Sequence, residues 1–208
     1  MRALQVETLT GRHVVLEPLD ASHVDGITKA ASGDRSSYGY TQVPNGHDEA
    51  AGYVSHLLND AANDRAAPFV QRRIIDGAGT TMIVGCTRYM NPQWPLGRSD
   101  PDEVEIGGTW LNQSAQRSPV NSEAKILMLT HAFETWSVQR VAICTDASNS
   151  RSRRAIERIG AQLEGVLRRH RPSFQEGHGQ ILRDSAMYSI TIDDWPSVRS
   201  HLESLVVR

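Results

Sequence analysis

The stretch WLNQSAQRSPVNSEAKILMLTHAFE, Trp110 to Glu134, decides how this chain is interpreted. It continues a strand-like run, Val104 to Leu111 (VEIGGTWL), which Gly107 and Gly108 interrupt. Glycines inside a strand indicate a bulge or a close approach of another backbone. Apolar residues then recur at helical spacing from Pro119 to Trp136, and proline suits a first helical turn. The sequence therefore predicts a bulged strand, a short loop and a helix N-terminus.

This helix start is a candidate anion site. The first N–H groups of a helix have no partner within the helix and lie at the positive end of its dipole, which suits a phosphate or pyrophosphate. Arg117 adds a guanidinium nearby. A plain strand-loop-helix connection with Pro119 in the first turn explains the same residues. The loop alone leaves both interpretations open.

A second segment, Asp146 to His170, follows a buried strand at 140–145. It places Asn149 at the strand end, Ser152 in the first turn of a short helix, and Gly160 where that helix ends, as is typical of a C-terminal helix cap. An ordinary helix cap and a solvated face account equally well for the polar residues of this segment, namely Asn149, Ser150, Arg151, Arg153 and Arg154.

The rest of the chain supplies the remaining elements. Strands are predicted at 13–17, 68–75, 82–90, 161–171 and 181–191, the last two around a glycine-rich turn, and helices at 20–32, 48–63 and from 193 or 194 onward. Three consecutive strands in the middle predict antiparallel pairing, and a later strand-helix-strand unit predicts a parallel crossover. The pattern predicts one α+β domain over residues 1–208.

Composition excludes several classes of protein. The formal net charge is -2, with 39% hydrophobic and 22% charged residues, so neither disorder nor attraction to nucleic acid or a membrane surface is expected. Cys86 and Cys144 lie in apolar runs and are expected to be free thiols. The histidines lack metal-binding spacing, so no metal site is predicted. Without a leader-like or membrane-spanning run, a cytoplasmic location is expected.

Taken together, three motifs resemble the GNAT superfamily of N-acetyltransferases, in particular its branch of ribosomal-protein N-terminal acetyltransferases. In that branch an EIGxxWL strand, a Q-x-x-G-x-N-x-E-A-K loop and helix, and an N-x-x-S helix ending at glycine recur in order. Here they read Glu105 to Leu111, Gln116 to Lys125, and Asn149, Ser152 and Gly160. The resemblance implies the GNAT fold, a mixed seven-stranded twisted sheet flanked by helices, with a V-shaped opening between the fourth and fifth strands.

The resemblance also implies acetyl-coenzyme A as the cosubstrate. The backbone of Thr109, Trp110 and Leu111 would bond its pantetheine arm and polarise the thioester carbonyl. The pyrophosphate would lie on the loop and helix start, namely Gln116, Arg117, Ser118, Val120, Asn121 and Ser122. Asn149 would bond the pantetheine, and Arg154 would reach a phosphate of coenzyme A.

Two positions depart from the family pattern. Pro119 stands where the family loop has glycine, and proline has no N–H to donate to a phosphate. Arg171 stands where the ribosomal-protein enzymes carry a glutamate proposed as the base. Neither that base nor a protein substrate therefore carries over to this chain.

Acetyl transfer needs a base for the amine proton and, less critically, a proton donor for the departing thiolate. We expect Glu105, just before the bulge, to be the base, with a solvent-facing strand glutamate as an equal alternative. Ser152 is the expected donor, and Tyr188 the weaker one.

The sequence thus predicts transfer of an acetyl group to a primary amine, either a protein N-terminus or a small molecule, whose identity stays open. The loops 34–46 and 91–101 are expected to border its pocket. A non-catalytic acyl-coenzyme A sensor or scaffold and an unrelated nucleotide-binding protein remain alternatives, and a homodimer is left open.

Overall fold

A computed structural model of the 208-residue chain describes residues 4, 6–77, 79–175 and 181–206. Within these residues eight strands form one sheet in the order β1-β2-β3-β4-β5-β6-β8-β7, and five α-helices flank it. The strands are β1 (Leu9–Thr10), β2 (Val14–Pro18), β3 (Ala66–Ile74), β4 (Thr81–Gln93), β5 (Glu103–Leu111), β6 (Arg140–Asp146), β7 (Gln162–Pro172) and β8 (Leu182–Thr191). The helices are α1 (Val24–Ala31), α2 (His47–Ala62), α3 (Val120–Thr130), α4 (Ser150–Arg158) and α5 (Trp195–Val206).

The α+β class is confirmed, with one strand more than the seven predicted. The additional strand, β1, is two residues long and pairs with β2 through a tight turn in which the Gly11 N–H donates to the Val14 carbonyl. The predicted glycine-rich turn between β7 and β8 falls largely on residues 176–180, which lie outside the described part of the chain.

The sheet is antiparallel except at its centre. β5 and β6 run parallel and are connected through α3, as the strand-helix-strand pattern predicts. Their pairing comprises only Glu103 with Arg140, Val104 with Val141, and Glu105 with Ala142. Beyond these pairs the two strands diverge, which confirms the V-shaped opening that the resemblance implies.

The predicted bulge in β5 is confirmed. The register between β4 and β5 shifts between Cys86 and Arg88, opposite Gly107 to Trp110. Gly108 has φ of +58°, a left-handed conformation that glycine adopts without steric cost. A Cβ atom at this position would lie 2.4 Å from Arg88 Nη1. The bulge changes the direction of β5 just beyond Glu105, where its pairing with β6 ends.

A buried carboxylate fixes the start of α3 against the other end of the sheet. Glu123 accepts the backbone N–H groups of Arg12, His13 and Val14 at 2.8, 2.6 and 2.9 Å. Gly11 is required beside it, since a Cβ atom there would lie 2.5 Å from the carboxyl carbon of Glu123. The helix that faces the V is therefore anchored by its first turn.

The predicted helix 119–136 is not continuous. α3 ends at Thr130 and is followed by a π-helical turn, His131–Thr135. The Tyr89 hydroxyl donates to the Met128 carbonyl at 2.5 Å, which competes with the regular helical bonding at this point. Cys86 and Cys144 are both free thiols, as predicted. Among the described residues, no helix combines the length and apolar character that crossing a bilayer requires.

Candidate active site

The loop before α3 and the first turn of α4 meet across the V. Asn149 is the N-cap of α4, and Arg151 in its first turn donates to the Gln116 side-chain oxygen at 2.5 Å. Further along α4, Arg158 donates to Ser122 Oγ at 3.2 Å. The structure thus brings together the two segments in which the sequence places the cofactor site.

The Gln116 side chain links three elements around the opening. Its amide nitrogen donates to the Leu111 carbonyl at the end of β5, at 2.8 Å, and to Ser37 Oγ in the connection between α1 and α2, at 2.9 Å. Its oxygen is taken by Arg151. Because these contacts lie within the protein, Gln116 positions the loop rather than presenting a free amide.

The N-terminus of α3 offers unpaired backbone donors. Pro119 is the N-cap and makes no side-chain capping bond. The N–H groups of Val120, Asn121 and Ser122 have no acceptor within the helix. The Val120 N–H reaches only Ser118 Oγ, at 3.4 Å. Although Pro119 has no N–H, the N–H groups of Asn121 and Ser122 therefore remain as donors, and that of Val120 is held only by a long bond.

The two arginines predicted to contact phosphates lie on the surface near these helix starts. Arg117 is exposed and has φ of +58°, a conformation in which glycine is usual. Arg154 is exposed and makes no hydrogen bond or ion pair with the described residues. Both are free to approach an anion.

The backbone of β5 presents alternate residues to the V. The Asn112 N–H donates to the Val84 carbonyl on β4 at 2.7 Å, whereas the Leu111 carbonyl faces away from β4 toward Gln116. Since polar groups alternate along the regular end of the strand, the N–H group of Leu111 faces the opening, whereas Thr109 lies within the bulge. Trp110 faces the other way, and its carbonyl accepts from Gln71 at 3.3 Å. The expectation that the Trp110 backbone bonds the pantetheine is thus corrected.

Lys125 is a site residue that the sequence analysis overlooks. It is 6% exposed, and its ammonium group donates to Thr109 Oγ1 at 3.0 Å, next to the bulge. Thr109 Oγ1 in turn lies 2.8 Å from Thr87 Oγ1 on β4. Within the described residues Lys125 has no carboxylate partner, and burial lowers its pKa to about 7. The feature of the sequence that could have indicated this role is a lysine on the predicted buried face of a helix.

The first turn of α4 places Asn149 and Ser152 as the motif predicts, and the N-cap interpretation of Asn149 is also right. The Asn149 side-chain oxygen accepts the Ser152 N–H at 3.0 Å. Its side-chain NH₂ group remains for a ligand. Tyr188 is less suitable as a donor, because its buried hydroxyl already donates to Glu157 at 2.8 Å and accepts from Arg153 at 3.0 Å. Burial raises the pKa of Tyr188 as well.

Glu105 is buried and paired, not solvent-facing. It is 4% exposed, and its two oxygens accept from Arg171 Nη1 and Nη2, each at 2.7 Å. Asn91 donates to Oε2 at 2.8 Å. The bonds to Glu105 raise the pKa of Arg171. The surface-glutamate alternative is therefore wrong, and the carboxylate is held by three donors that spacing could not reveal.

An open cavity of about 460 Å³ lies over this pair, on the sheet face opposite α3. It is lined by Asn91, Gln93, Glu103, Glu105, Ala142, Leu167, His170, Arg171 and Met187. Asn91 and Gln93 bring the predicted 91–101 segment to the cavity, although they belong to β4, which is longer than predicted. We call it the acceptor cavity.

The connection 34–46 lies beside Trp110. Tyr38 contacts the Trp110 ring edge-on, with centroids 5.9 Å apart, and Trp110 Nε1 donates to the Tyr53 hydroxyl at 3.3 Å. Arg35 holds the connection by donating to the Val43 and Pro44 carbonyls. This segment therefore supports the strand that carries the bulge.

Comparison with known proteins agrees with this geometry. No curated protein sequence matches the chain. Among solved structures, a GCN5-related N-acetyltransferase from Brucella melitensis is 25% identical, with 97% of this chain and 86% of that chain covered and a TM-score of 0.79.

Two more distant structures share the fold. Mycobacterium smegmatis RimJ in complex with CoA-disulfide is 20% identical, with 92% and 88% covered and a TM-score of 0.72. The ribosomal-protein-S5-alanine acetyltransferase from Vibrio fischeri is 16% identical, with 92% and 99% covered and a TM-score of 0.66. Residues 13–162 match the family model described as an acetyltransferase (GNAT) domain. Since that match spans most of the chain, the protein belongs to the GNAT acetyltransferase family.

Proposed function

We propose that this protein transfers an acetyl group from acetyl-coenzyme A to a primary amine by direct attack of the amine on the thioester. One observation carries the proposal: the diverging β5 and β6 open directly beside the uncapped N-terminus of α3. An elongated ligand with an anionic end fits that arrangement. Acetyl-coenzyme A would supply an activated acyl group on a thiol leaving group.

The residues around the opening fit such a ligand. The N–H groups of Val120, Asn121 and Ser122 suit a pyrophosphate, because they lie at the positive end of the helix dipole. Arg117 and Arg154 add positive charge on either side of the opening. The Asn149 NH₂ group would bond the pantetheine arm.

The bulge in β5 would hold the reacting carbonyl. The N–H group of Leu111, which faces the opening, or that of Thr109 within the bulge would donate to the carbonyl oxygen as negative charge develops there. Lys125 would keep this backbone in place through its bond to Thr109 Oγ1. Preorganised donors of this kind stabilise the transition state without reorganising.

The amine nitrogen would form the new C–N bond as the C–S bond breaks and coenzyme A leaves as a thiolate. Ser152 would give that thiolate a proton. The amine proton must also leave, and Glu105 is the candidate base that the sequence offers. Because its oxygens already accept from Arg171 and Asn91, we favour water in the acceptor cavity as the immediate proton acceptor, with the pair fixing the cavity wall.

The same site allows one more specific function and one alternative function. A protein N-terminus as acceptor would place the chain in the ribosomal-protein branch, which shares its fold. A non-catalytic acyl-coenzyme A sensor or scaffold is favoured by one observation, the engagement of Glu105 by Arg171 and Asn91.

Coenzyme A release from acetyl-coenzyme A in the presence of assorted primary amines tests the proposal. We expect amine-dependent release and stabilisation of the fold by the cosubstrate, about 2.7 kcal/mol at 100 times its dissociation constant. Stabilisation without release with any amine would support the sensor. Neither effect at millimolar ligand would overturn the cosubstrate assignment itself.

A further inference from the structure

Alternate residues of β8 project toward the acceptor cavity. Met187 lines the cavity, and Arg183 lies four residues earlier on the same side of the strand. Arg183 is also the direct cross-strand partner of Arg171 on β7. Direct partners in an antiparallel pair project from the same face of the sheet. Two arginines therefore lie side by side, Arg171 in the lining of the cavity and Arg183 next to it.

Such a pairing is unfavourable unless both charges are compensated. Arg171 is compensated by Glu105. Arg183 forms no ion pair with the described residues, and its Nε atom is buried without a hydrogen-bond partner. The other carboxylate that lines the cavity, Glu103, is engaged by Arg140. Among the residues that the structure describes, the charge of Arg183 thus has no carboxylate partner.

A second unpartnered group lies beside it. His170 lines the cavity, and its Nδ1 atom is buried and has no hydrogen-bond partner. Burial, followed by the charges of Arg171 and Arg183, lowers the pKa of His170, which favours the neutral ring. A neutral imidazole can still donate one N–H.

We propose that Arg183 and His170 bind an anionic group of the acceptor, a carboxylate or a phosphate, so that the substrate is an amine that also carries a negative charge. This inference rests on the proposed function, because it concerns the acceptor of that same reaction. Oxyanions accept several hydrogen bonds and would satisfy the unpartnered donors on both side chains. Leaving a buried arginine N–H without an acceptor is costly, so an oxyanion that accepts from it would bind favourably here.

The proposal divides the candidate acceptors. Free amino acids, peptides with a nearby carboxylate and amine-bearing phosphate esters fit. Polyamines and aminoglycosides do not fit, because they would bring further positive charge to Arg183.

Matched amines provide the test. Glycine and glycinamide, β-alanine and β-alaninamide, and phosphoethanolamine and ethanolamine differ in the anionic group and, through it, in the pKa of the amine, so their rates are compared per concentration of neutral amine. Coenzyme A release gives kcat/KM for each, and calorimetry on the coenzyme A-saturated protein gives binding without turnover. We expect the anionic member of at least one pair to be favoured on the order of tenfold or more. The carboxylate and phosphate pairs distinguish the two sources of charge.

Variants of Arg183 test whether this residue causes the preference for anionic amines. Arg183→Gln should abolish the preference, and Arg183→Lys should restore part of it, because charge returns without the planar fork. Arg168→Gln, at an exposed arginine of the same hairpin, should leave the preference intact.

The outcomes separate the two proposals. Equal or better use of the neutral members, or a preference that survives Arg183→Gln, overturns the anion site while leaving acetyl transfer standing. If no amine is acetylated but anionic probes still bind in an Arg183-dependent way, the anion site stands and acetyl transfer fails. If the anionic members neither bind nor react better than their partners, the anion site is wrong.

Discussion

Arg171 and Glu105 face each other in a two-bonded pair, with both guanidinium nitrogens 2.7 Å from the carboxylate oxygens. Glu105 belongs to β5 and Arg171 to β7, so the pair reaches across β6 and β8, which lie between them in the sheet. It therefore ties the two sides of the V together on the acceptor face. This role differs from the free base that the sequence predicts.

Replacing Glu105 with glutamine should lower the free energy of unfolding by about 2 kcal/mol, because Arg171 loses its charged partner in a largely buried setting. Urea denaturation measures the change. Glu203→Gln is the matched control, because its pair with Arg199 is exposed and should contribute less than about 1 kcal/mol.

The same variant distinguishes anchor from base. If Glu105 acts as an anchor, turnover of Glu105→Gln should be reduced by a similar factor at every pH, with one amine of known pKa. A deficit that disappears as the pH rises would show instead that Glu105 accepts the amine proton, since more amine then arrives already neutral.

Lys125 should make stability depend on pH. Its pKa falls from 10.5 to about 7 on folding, so between these values the unfolded chain binds a proton that the folded chain does not. The wild type should therefore gain stability as the pH rises from 7 toward 10. Relative to Lys125→Met, this gain should be about 2 to 3 kcal/mol between pH 6 and pH 9. A pH-independent difference between the two urea titrations would contradict the buried, unpaired ammonium.

Asn149→Ala and Ser152→Ala should act on different steps. Loss of Asn149 removes the N-cap of α4, at about 1 kcal/mol of stability, and should raise the KM for acetyl-coenzyme A. Ser152→Ala should lower kcat with little effect on that KM. Steady-state kinetics measure both, with exposed Ser150→Ala as the control in the same turn. Unchanged kcat in Ser152→Ala across pH would leave Ser152 as a helix-start residue only.

Gly108→Ala and Gly52→Ala should have opposite effects. Gly108 has a left-handed backbone in the bulge, so alanine should cost about 1 to 2 kcal/mol and reduce turnover by displacing the backbone of the bulge. Gly52 lies inside α2 with open space around its Cα, so alanine should add about 0.5 to 1 kcal/mol without changing turnover. Thermal unfolding and coenzyme A release report both effects.

Local patterns predicted the elements that depend on local chemistry. The strand Val104 to Leu111, the bulge at the two glycines within it and the asparagine cap before α4 each appear in the structure as the sequence indicates. The π-helical turn could not be predicted from the local sequence. It depends on the Tyr89 hydroxyl, which belongs to a strand 39 residues before Met128.

The acceptor side of the site was the least predictable part. Glu105 is 66 residues from Arg171 in the chain, and nothing in either local sequence indicates their contact. The same holds for Arg171 and Arg183, whose pairing depends on the register of the last two strands. Those strands contain irregularities between Leu163 and Gly165 and between Leu167 and Arg171, which change the side-chain alternation.

The short parallel seam between β5 and β6 has a mechanical consequence. The sheet consists of two panels, β1–β5 and β6–β8, joined by backbone bonding over only three residue pairs. Past Ala142, the inner edges of the panels resemble the outer edges of ordinary sheets, which readily accept another extended chain. A ligand arm that carries amide groups can continue the hydrogen-bond ladder where the protein's own strands separate. Binding of such a ligand would then connect the two panels into one cooperative unit. Amide hydrogen exchange should become slower in β5 and in β6 together.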